Sequence, residues 1–252
     1  MDQARLEEAT KSWAPAVRFF EECDSTNRVA MEWARQGAQE GCLVVADHQT
    51  AGRGRLDRKW FAPPGSCLLF SMVLRPGLDL ENLGLLNLCA GAALWLAVME
   101  EGIEARLKWP NDLMLSGKKA AGILSESETA GGRVSAAITG VGVNVNLTEK
   151  DLPEEIQGSA TSLSAAAGHG VDRLGLLVRF LNHFNALYSA LPSSPSRVID
   201  VYRPMCETLG RRVSVDLGSE RVEGKAAAID PTGGLVMEDG RIIRFGDVVH
   251  LR

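Results

Sequence analysis

From Leu83 to Met99 the chain reads LGLLNLCAGAALWLAVM, interrupted only by Asn87 and flanked by Glu81, Glu100 and Glu101. Such a stretch has to leave water, either within a membrane or beneath other elements of a globular fold. It falls just short of membrane-spanning length and predicts a buried helix running to about Gly102. A helix that is apolar on all sides needs partners on all sides, so the remaining sequence has to supply packing layers.

Those layers are readable on either side of it. From Asp24 to Gly37, DSTNRVAMEWARQG puts Val29, Ala30, Trp33 and Ala34 on one helical face, with Asp24 or Ser25 as N-cap and Gly37 as stop. Cys42 to Gln49 predicts a buried strand, and Ser66 to Pro76 another that ends at Pro-Gly. Arg106 to Asp112 carries a short strand into Pro110. KKAAGILSESET and RVSAAITGVGVNVN flank Gly131-Gly132 in the manner of a β-hairpin. Helical spacing returns from Asp172 to Leu191, and beyond Pro192 to Pro195 a second helix is expected to about Leu209. After Gly210 the character changes to short alternating runs separated by Gly-Ser, Thr-Gly-Gly and Asp-Gly turns, which predict a small β-barrel-like module. Two domains are therefore expected, 1–207 and 208–252.

Charge and composition remove several functional classes. With 27 Lys and Arg against 32 Asp and Glu, the net charge is −5, which argues against a broad basic surface for duplex nucleic acid. In the small module, seven basic residues (Arg211, Arg212, Arg221, Lys225, Arg241, Arg244, Arg252) are matched by seven acidic ones. The five cysteines are scattered without a Cys-x-x-Cys pair, so neither a disulfide framework nor a zinc site is suggested, and a reducing cytoplasm fits best. The four histidines lack metal-ligand or triad spacing, and no Gly-x-Ser-x-Gly elbow exists. The N-terminus has no apolar run after a basic start, so it does not read as a secretory signal.

Chemistry concentrates in two stretches. QTAGRGRLDRKW, Gln49 to Trp60, follows a predicted strand and sets Gly52 and Gly54 around Arg53 and Arg55, with Arg58 and Lys59 behind and only Asp57 in opposition. Glycines let backbone N–H groups approach an anion, and guanidinium forks suit phosphate or carboxylate oxygens. The plain alternative is a solvated turn whose arginines pair with acidic neighbours. It is neither a Walker A sequence nor a dinucleotide-binding glycine turn. KWPNDLMLSGKKAAG, Lys108 to Gly122, places Lys118 and Lys119 beside a Trp-Pro-Asn-Asp corner that Pro110 stiffens. Asp112 there could hold Mg²⁺ beside phosphates, or serve only as an Asx-turn or helix cap. Lys119 could equally be a solvated hairpin lysine. In TGVGVNVN, Gly140, Gly142 and Asn144 strip one strand face of bulk, so a base ring, another backbone or ordinary packing presses close.

Taken in order, DSTN (Asp24 to Asn27), QTAGRGR (Gln49 to Arg55) with KWFAPPG after it, KWPNDL (Lys108 to Leu113), KKAAGIL (Lys118 to Leu124) and GVGVNVN resemble the biotin protein ligases over nearly the whole chain. QTAGRGR with KWPND at this separation is the specific part. The resemblance implies an α/β (α+β) catalytic domain like that of class II aminoacyl-tRNA synthetases, with a mixed sheet and flanking helices, followed by a small SH3-like β-barrel domain. It implies a two-step reaction in which biotin and MgATP give biotinyl-5′-adenylate and pyrophosphate. A lysine of a biotin carboxyl carrier protein, a subunit of acetyl-CoA carboxylase or of another biotin-dependent carboxylase, then attacks the mixed anhydride.

By the same resemblance Ser25, Thr26 and Gln49 hold biotin's ureido head, and Asn27 completes their motif. Ser25 and Thr26 could at the same time cap the following helix. Arg53, Gly54 and Arg55 lie on the loop over the acyl-phosphate, and Lys119 contacts its anionic oxygens. Trp60 and Asn144 sit on the nucleotide side, with Arg55. Asp112 is placed near Mg²⁺ or near the acceptor lysine. Arg53, Lys119 and Asp112 are the expected catalytic set. Only 24 residues precede Ser25, too few for a winged helix-turn-helix, so the expected type is the monofunctional ligase without nucleic-acid or membrane partners. A sheet edge could pair with a second copy, giving a homodimer, or with the carrier. Lipoate or octanoate ligation on the same fold, and a non-catalytic biotin-dependent regulator, are the competing expectations.

Overall fold

A computed structural model describes residues 1–55, 58–130 and 133–251; Leu56, Asp57, Arg252 and Gly131-Gly132, where a hairpin connection is expected from sequence, lie outside the described residues. The first part of the chain runs α1 (Gln3–Thr10), β1 (Val17–Cys23), α2 (Thr26–Arg35), β2 (Leu43–Gln49), β3 (Cys67–Leu74), α3 (Gly84–Met99), β4 (Arg106–Lys108), β5 (Asp112–Leu115), β6 (Lys118–Ala130) and β7 (Arg133–Asn144). It continues through α4 (Glu154–Gln157), α5 (Leu163–Ala167), α6 (Arg173–Tyr188) and α7 (Ser196–Tyr202). The strands form one mixed sheet in the order β1-β2-β3-β7-β6-β5-β4. β1 and β2 pair in parallel and the other neighbours antiparallel.

Every residue of β3 is buried, as the centre of a sheet covered on both faces requires. On one face α2 lays Ala30 and Ala34 against Val44, Val73, Ala136 and Ile138. On the other, α3 and α6 pack together, and Phe70 of β3 meets Phe180 edge-on at 5.0 Å between ring centres. The apolar run Leu83–Met99 is thus a core helix, packed against α6, α7 and the sheet, and its uniform hydrophobicity reflects burial all round.

The remaining strands, β8 (Arg212–Asp216), β9 (Arg221–Ile229), β10 (Leu235–Met237), β11 (Ile242–Ile243) and β12 (Asp247–His250), form a five-stranded antiparallel sheet in the order β11-β10-β9-β8-β12. It joins the larger sheet at the Trp-Pro corner. Trp109 is 1 % exposed. Its backbone N–H donates to Thr208 Oγ1 and its indole N–H to the Gly233 carbonyl, each at 3.0 Å.

Several expectations need revision. The helix foreseen to Leu209 stops at Tyr202, where Arg203–Met205 tightens into a 3-10 turn around Pro204. The short strand foreseen to run into Pro110 is β4, which ends at Lys108, and a further strand, β5, begins beyond the corner. Asp112 therefore opens a strand, and caps no helix. The pair α1 and β1 had no counterpart in the sequence reading; β1 alternates poorly, with Phe19 and Phe20 both only half-buried.

Candidate active site

One hollow of about 540 Å³ opens between the mixed sheet, the Arg-Gly loop and β12 of the small sheet. That size suits a small-molecule substrate. Ser25, Thr26, Asn27, Gln49, Arg53, Gly54, Arg55, Trp60, Asp112, Lys119 and Asn144, drawn from five separated stretches, all line it.

Its polar end is built at the start of α2. Ser25 occupies the N-cap position with extended backbone, yet its side chain makes no capping bond. The hydroxyl is therefore left to the cavity, which separates the two roles open from sequence. Thr26 is tied down: its backbone N–H (2.7 Å) and hydroxyl (3.0 Å) both donate to Gln49 Oε1. Gln49 Nε2 has no protein acceptor among the described residues and presents its N–H groups to the hollow. Asn27 gives one amide proton to the Leu124 carbonyl (3.1 Å) and the other to Glu126 Oε2 (2.7 Å). Its oxygen lies 2.7 Å from Ser71 Oγ, which lies 2.8 Å from Thr26 Oγ1. Asn27 thus offers a ligand only an oxygen lone pair.

Two side chains of the protein itself explain the stripped face of β7. A Cβ at Gly140 would lie 1.9 Å from Asn27 Oδ1, and one at Gly142 would lie 2.8 Å from the Trp60 ring. Trp60 also leans on Gly122, and its indole N–H is buried without a partner among the described residues. Asn144, next on that face, donates to the Thr161 carbonyl at 3.0 Å.

Four of the cations that line the hollow, Arg53, Arg55, Arg58 and Lys119, have a carboxylate or amide beside them. Arg53 Nη2 reaches both oxygens of Glu126, at 2.9 and 3.1 Å. Lys119 Nζ lies 2.6 Å from Asp112 Oδ1 and 5.7 Å from the centre of the Trp60 ring. Arg55 Nη1 approaches Asn111 Oδ1 at 3.4 Å. Burial pushes its guanidinium down from the ordinary arginine value, opposed by Asp247 and Asp112. Arg58 pairs with Asp247 of β12 at 2.5 Å. The acidic pairing that was one alternative from sequence is present, and the paired cations nonetheless line one hollow. Among the described residues no cluster of three or more His, Cys, Asp or Glu is arranged to hold a metal.

Glu126, Ser71 and Asp247 escaped the sequence reading. Asn27 and Glu126 are 99 positions apart and Arg58 and Asp247 189 apart. No local spacing reports such pairs. For Glu126 the only trace was an acidic residue interrupting the inward register of an otherwise small and apolar strand face, Gly122-x-Leu124-x-Glu126.

Two family descriptions match the chain: the biotin/lipoate A/B protein ligase family over residues 19–144, and the biotin protein ligase C-terminal domain over residues 208–251. The chain is similar to the biotin–[acetyl-CoA-carboxylase] ligase of Mycobacterium tuberculosis, with 35 % identity over 90 % of this chain and 86 % of that one. It is also similar to the bifunctional ligase/repressor BirA of Bacillus subtilis, with 36 % identity over 90 % of this chain and 70 % of that one. Among solved structures, a biotin protein ligase variant from Aquifex aeolicus in complex with biotin superposes with a TM-score of 0.80 at 32 % identity, covering 94 % of this chain and 98 % of the other. The Aquifex aeolicus enzyme in complex with biotin and ATP gives 0.75 at 31 % identity, covering 94 % and 99 %.

Proposed function

The chain belongs to the biotin protein ligase family, and from that premise we propose that it activates biotin with ATP and transfers it to a lysine of a biotin carboxyl carrier protein of the acetyl-CoA carboxylase type. The observation that carries this reading is the convergence of Arg53, Arg55 and Lys119 with the Ser25, Thr26 and Gln49 end of one cavity.

The first step pushes a carboxylate against a triphosphate, and both are anionic at neutral pH. The carboxylate is already a nucleophile, so no general base is needed to make it. What the site has to supply is fixed positive charge along the line of attack on the α-phosphorus, where it relieves repulsion and stabilises charge shifting onto departing pyrophosphate. Arg53 and Lys119 are assigned this role. Arg55 and Trp60 are assigned to the nucleotide, with Asn144 beside them.

Biotin's ureido head has two N–H donors and one carbonyl, and leaving such a group unpaired on burial costs about 1–3 kcal/mol. Gln49 Nε2 and the hydroxyl of Ser25 supply uncommitted polar groups at the polar end, by the start of α2. A dithiolane ring would leave them unpaired, which disfavours lipoate at this end. In the second step the acceptor lysine arrives at the mouth, beside Asp112 and Lys119.

Asp112 is a carboxylate that lines the hollow, with the Lys119 ammonium against one of its oxygens. Such a donor set fits Mg²⁺ only as an ion carried in on ATP, with Asp112 lending a single oxygen, consistent with the preference of Mg²⁺ for substrate phosphates and water. The ion would supply charge neutralisation at the phosphates. We place the protein in the cytoplasm, a reading supported by five free thiols, and divide it functionally into 1–207 and 208–252. The net charge of −5 supports a protein without a nucleic-acid partner.

The test is pyrophosphate release from ATP with and without biotin, followed by transfer to an apo carrier domain. Release that requires biotin and is not inhibited by excess lipoate is expected. Equal turnover of ATP without biotin would refute the reading.

A further inference from the structure

Resting on that reading, we propose that Glu126 is a positioning residue that ties recognition of the biotin head to presentation of the Arg53 guanidinium. The carboxylate sits on β6, on the strand face that also carries Gly122 and Leu124. One of its oxygens, Oε2, accepts from Asn27 Nδ2 at 2.7 Å and from Arg53 Nη2 at 3.1 Å. The other, Oε1, accepts from the same Arg53 nitrogen at 2.9 Å.

The Asn27 end of this bridge is rigid. That side chain is 5 % exposed, and both its amide protons and its oxygen are engaged, with Leu124, Glu126 and Ser71. Gly140 beneath it leaves no room for any residue with a Cβ. At the other end, the Arg53 side chain is 48 % exposed on a loop. A long side chain there would sample many rotamers, and fixing it only when substrate arrives costs conformational entropy. Glu126 holds one nitrogen of the guanidinium from behind. Among the described residues Arg53 Nε and Nη1 meet no acceptor, so the rest of the planar fork is left to the acyl-phosphate.

The chain of contacts is continuous: Gln49 and Thr26, then Ser71, Asn27, Glu126 and Arg53. It links the assigned head-group end of the cavity to the assigned reacting end through side chains alone. Glu126 touches no substrate in this scheme and acts wholly through Arg53.

The test is a double-mutant cycle read by calorimetric binding of a non-hydrolysable phosphodiester analogue of biotinyl-5′-adenylate, with biotin alone as the second ligand. Glu126→Gln keeps an acceptor for Asn27 and removes the charge that grips Arg53. It is expected to weaken the analogue about tenfold in the parent protein and less than twofold in an Arg53→Ala background. Biotin alone, held at the head, is expected to change less than threefold. Glu126→Asp should recover part of the loss if folding is intact, as thermal midpoints of all variants will show. Equal weakening with and without Arg53, or no weakening in the parent, overturns the proposal. A parent protein that binds neither biotin nor the analogue overturns instead the functional reading on which the proposal rests.

Discussion

Ser25 starts a helix with its backbone while withholding its hydroxyl from the helix. Replacing it with alanine therefore removes no capping bond. Ser25→Ala should leave the thermal midpoint nearly unchanged, within the roughly 0.5 kcal/mol typical of substitutions that break no key contact. Calorimetric biotin affinity should nevertheless fall about tenfold, the scale of one lost hydrogen bond to a buried ligand. A fall in midpoint without a fall in affinity would return Ser25 to a purely structural role. Lys119 is the complementary case. Its ammonium lies against Asp112 at the end of the hollow assigned to the reaction, and Lys119→Ala should lower the rate of biotin-dependent pyrophosphate release by about 10²–10³, the scale for losing one preorganised charge donor. Unchanged turnover in that variant would remove Lys119 from the chemistry. Residues of this kind were legible in sequence because each cation advertises its chemistry locally, between glycines or beside a proline corner. Their counter-ions were not: Glu126 and Asp247 lie in strands whose ladder partners are β7 and β8, and they meet the loop only after folding.

At the scale of elements, α2 and α6 follow the hydrophobic period, α3 is marked by its unbroken apolar run and β6–β7 by the glycines between them, and the sequence predicts all of these to within a few residues at each end. β1 was missed because an edge strand buries little and alternates weakly, and its partner β2 supplies most of the pairing signal. β7 shows what periodicity could only half convey. Its glycines marked a close approach, and the bodies that approach are Asn27 and Trp60 of the same chain. Gly140→Ala should cost about 1–3 kcal/mol, since the Asn27 amide cannot yield without breaking its bonds to Ser71, Leu124 and Glu126. Urea unfolding would measure it. A loss below about 0.5 kcal/mol would mean that α2 and β7 can part freely, against the packing described.

At the scale of the molecule, the two sheets meet through a polar joint as well as an apolar one. His250 of β12 lies 3.2 Å from Thr208 Oγ1, the atom that receives the Trp109 backbone N–H. Burial, reinforced by Lys108 and Arg211, pushes the imidazole down to about 4, even though the Glu207 carboxylate lies 3.8 Å away. The folded protein therefore resists a proton that the unfolded chain accepts near pH 6.5. Stability from this group is complete above about pH 6.5 and declines as pH falls toward 4, below which both states are protonated. Thermal midpoints recorded from pH 7 to pH 4 should fall, and in His250→Gln the fall should be smaller. Identical pH profiles for the two proteins would show that the joint is insensitive to His250. The composition change near residue 208 was visible in sequence as turn spacing, whereas the dependence of the Trp109 corner on Thr208 and Gly233 was not, because a partner 99 or 124 residues away leaves no periodic trace.

That dependence orders events during synthesis. The loop, the lysine turn and the floor glycines all leave the ribosome before the segment that receives both Trp109 protons. A nascent chain can hold most of the pocket-lining residues while the corner bearing Asp112 still lacks its support.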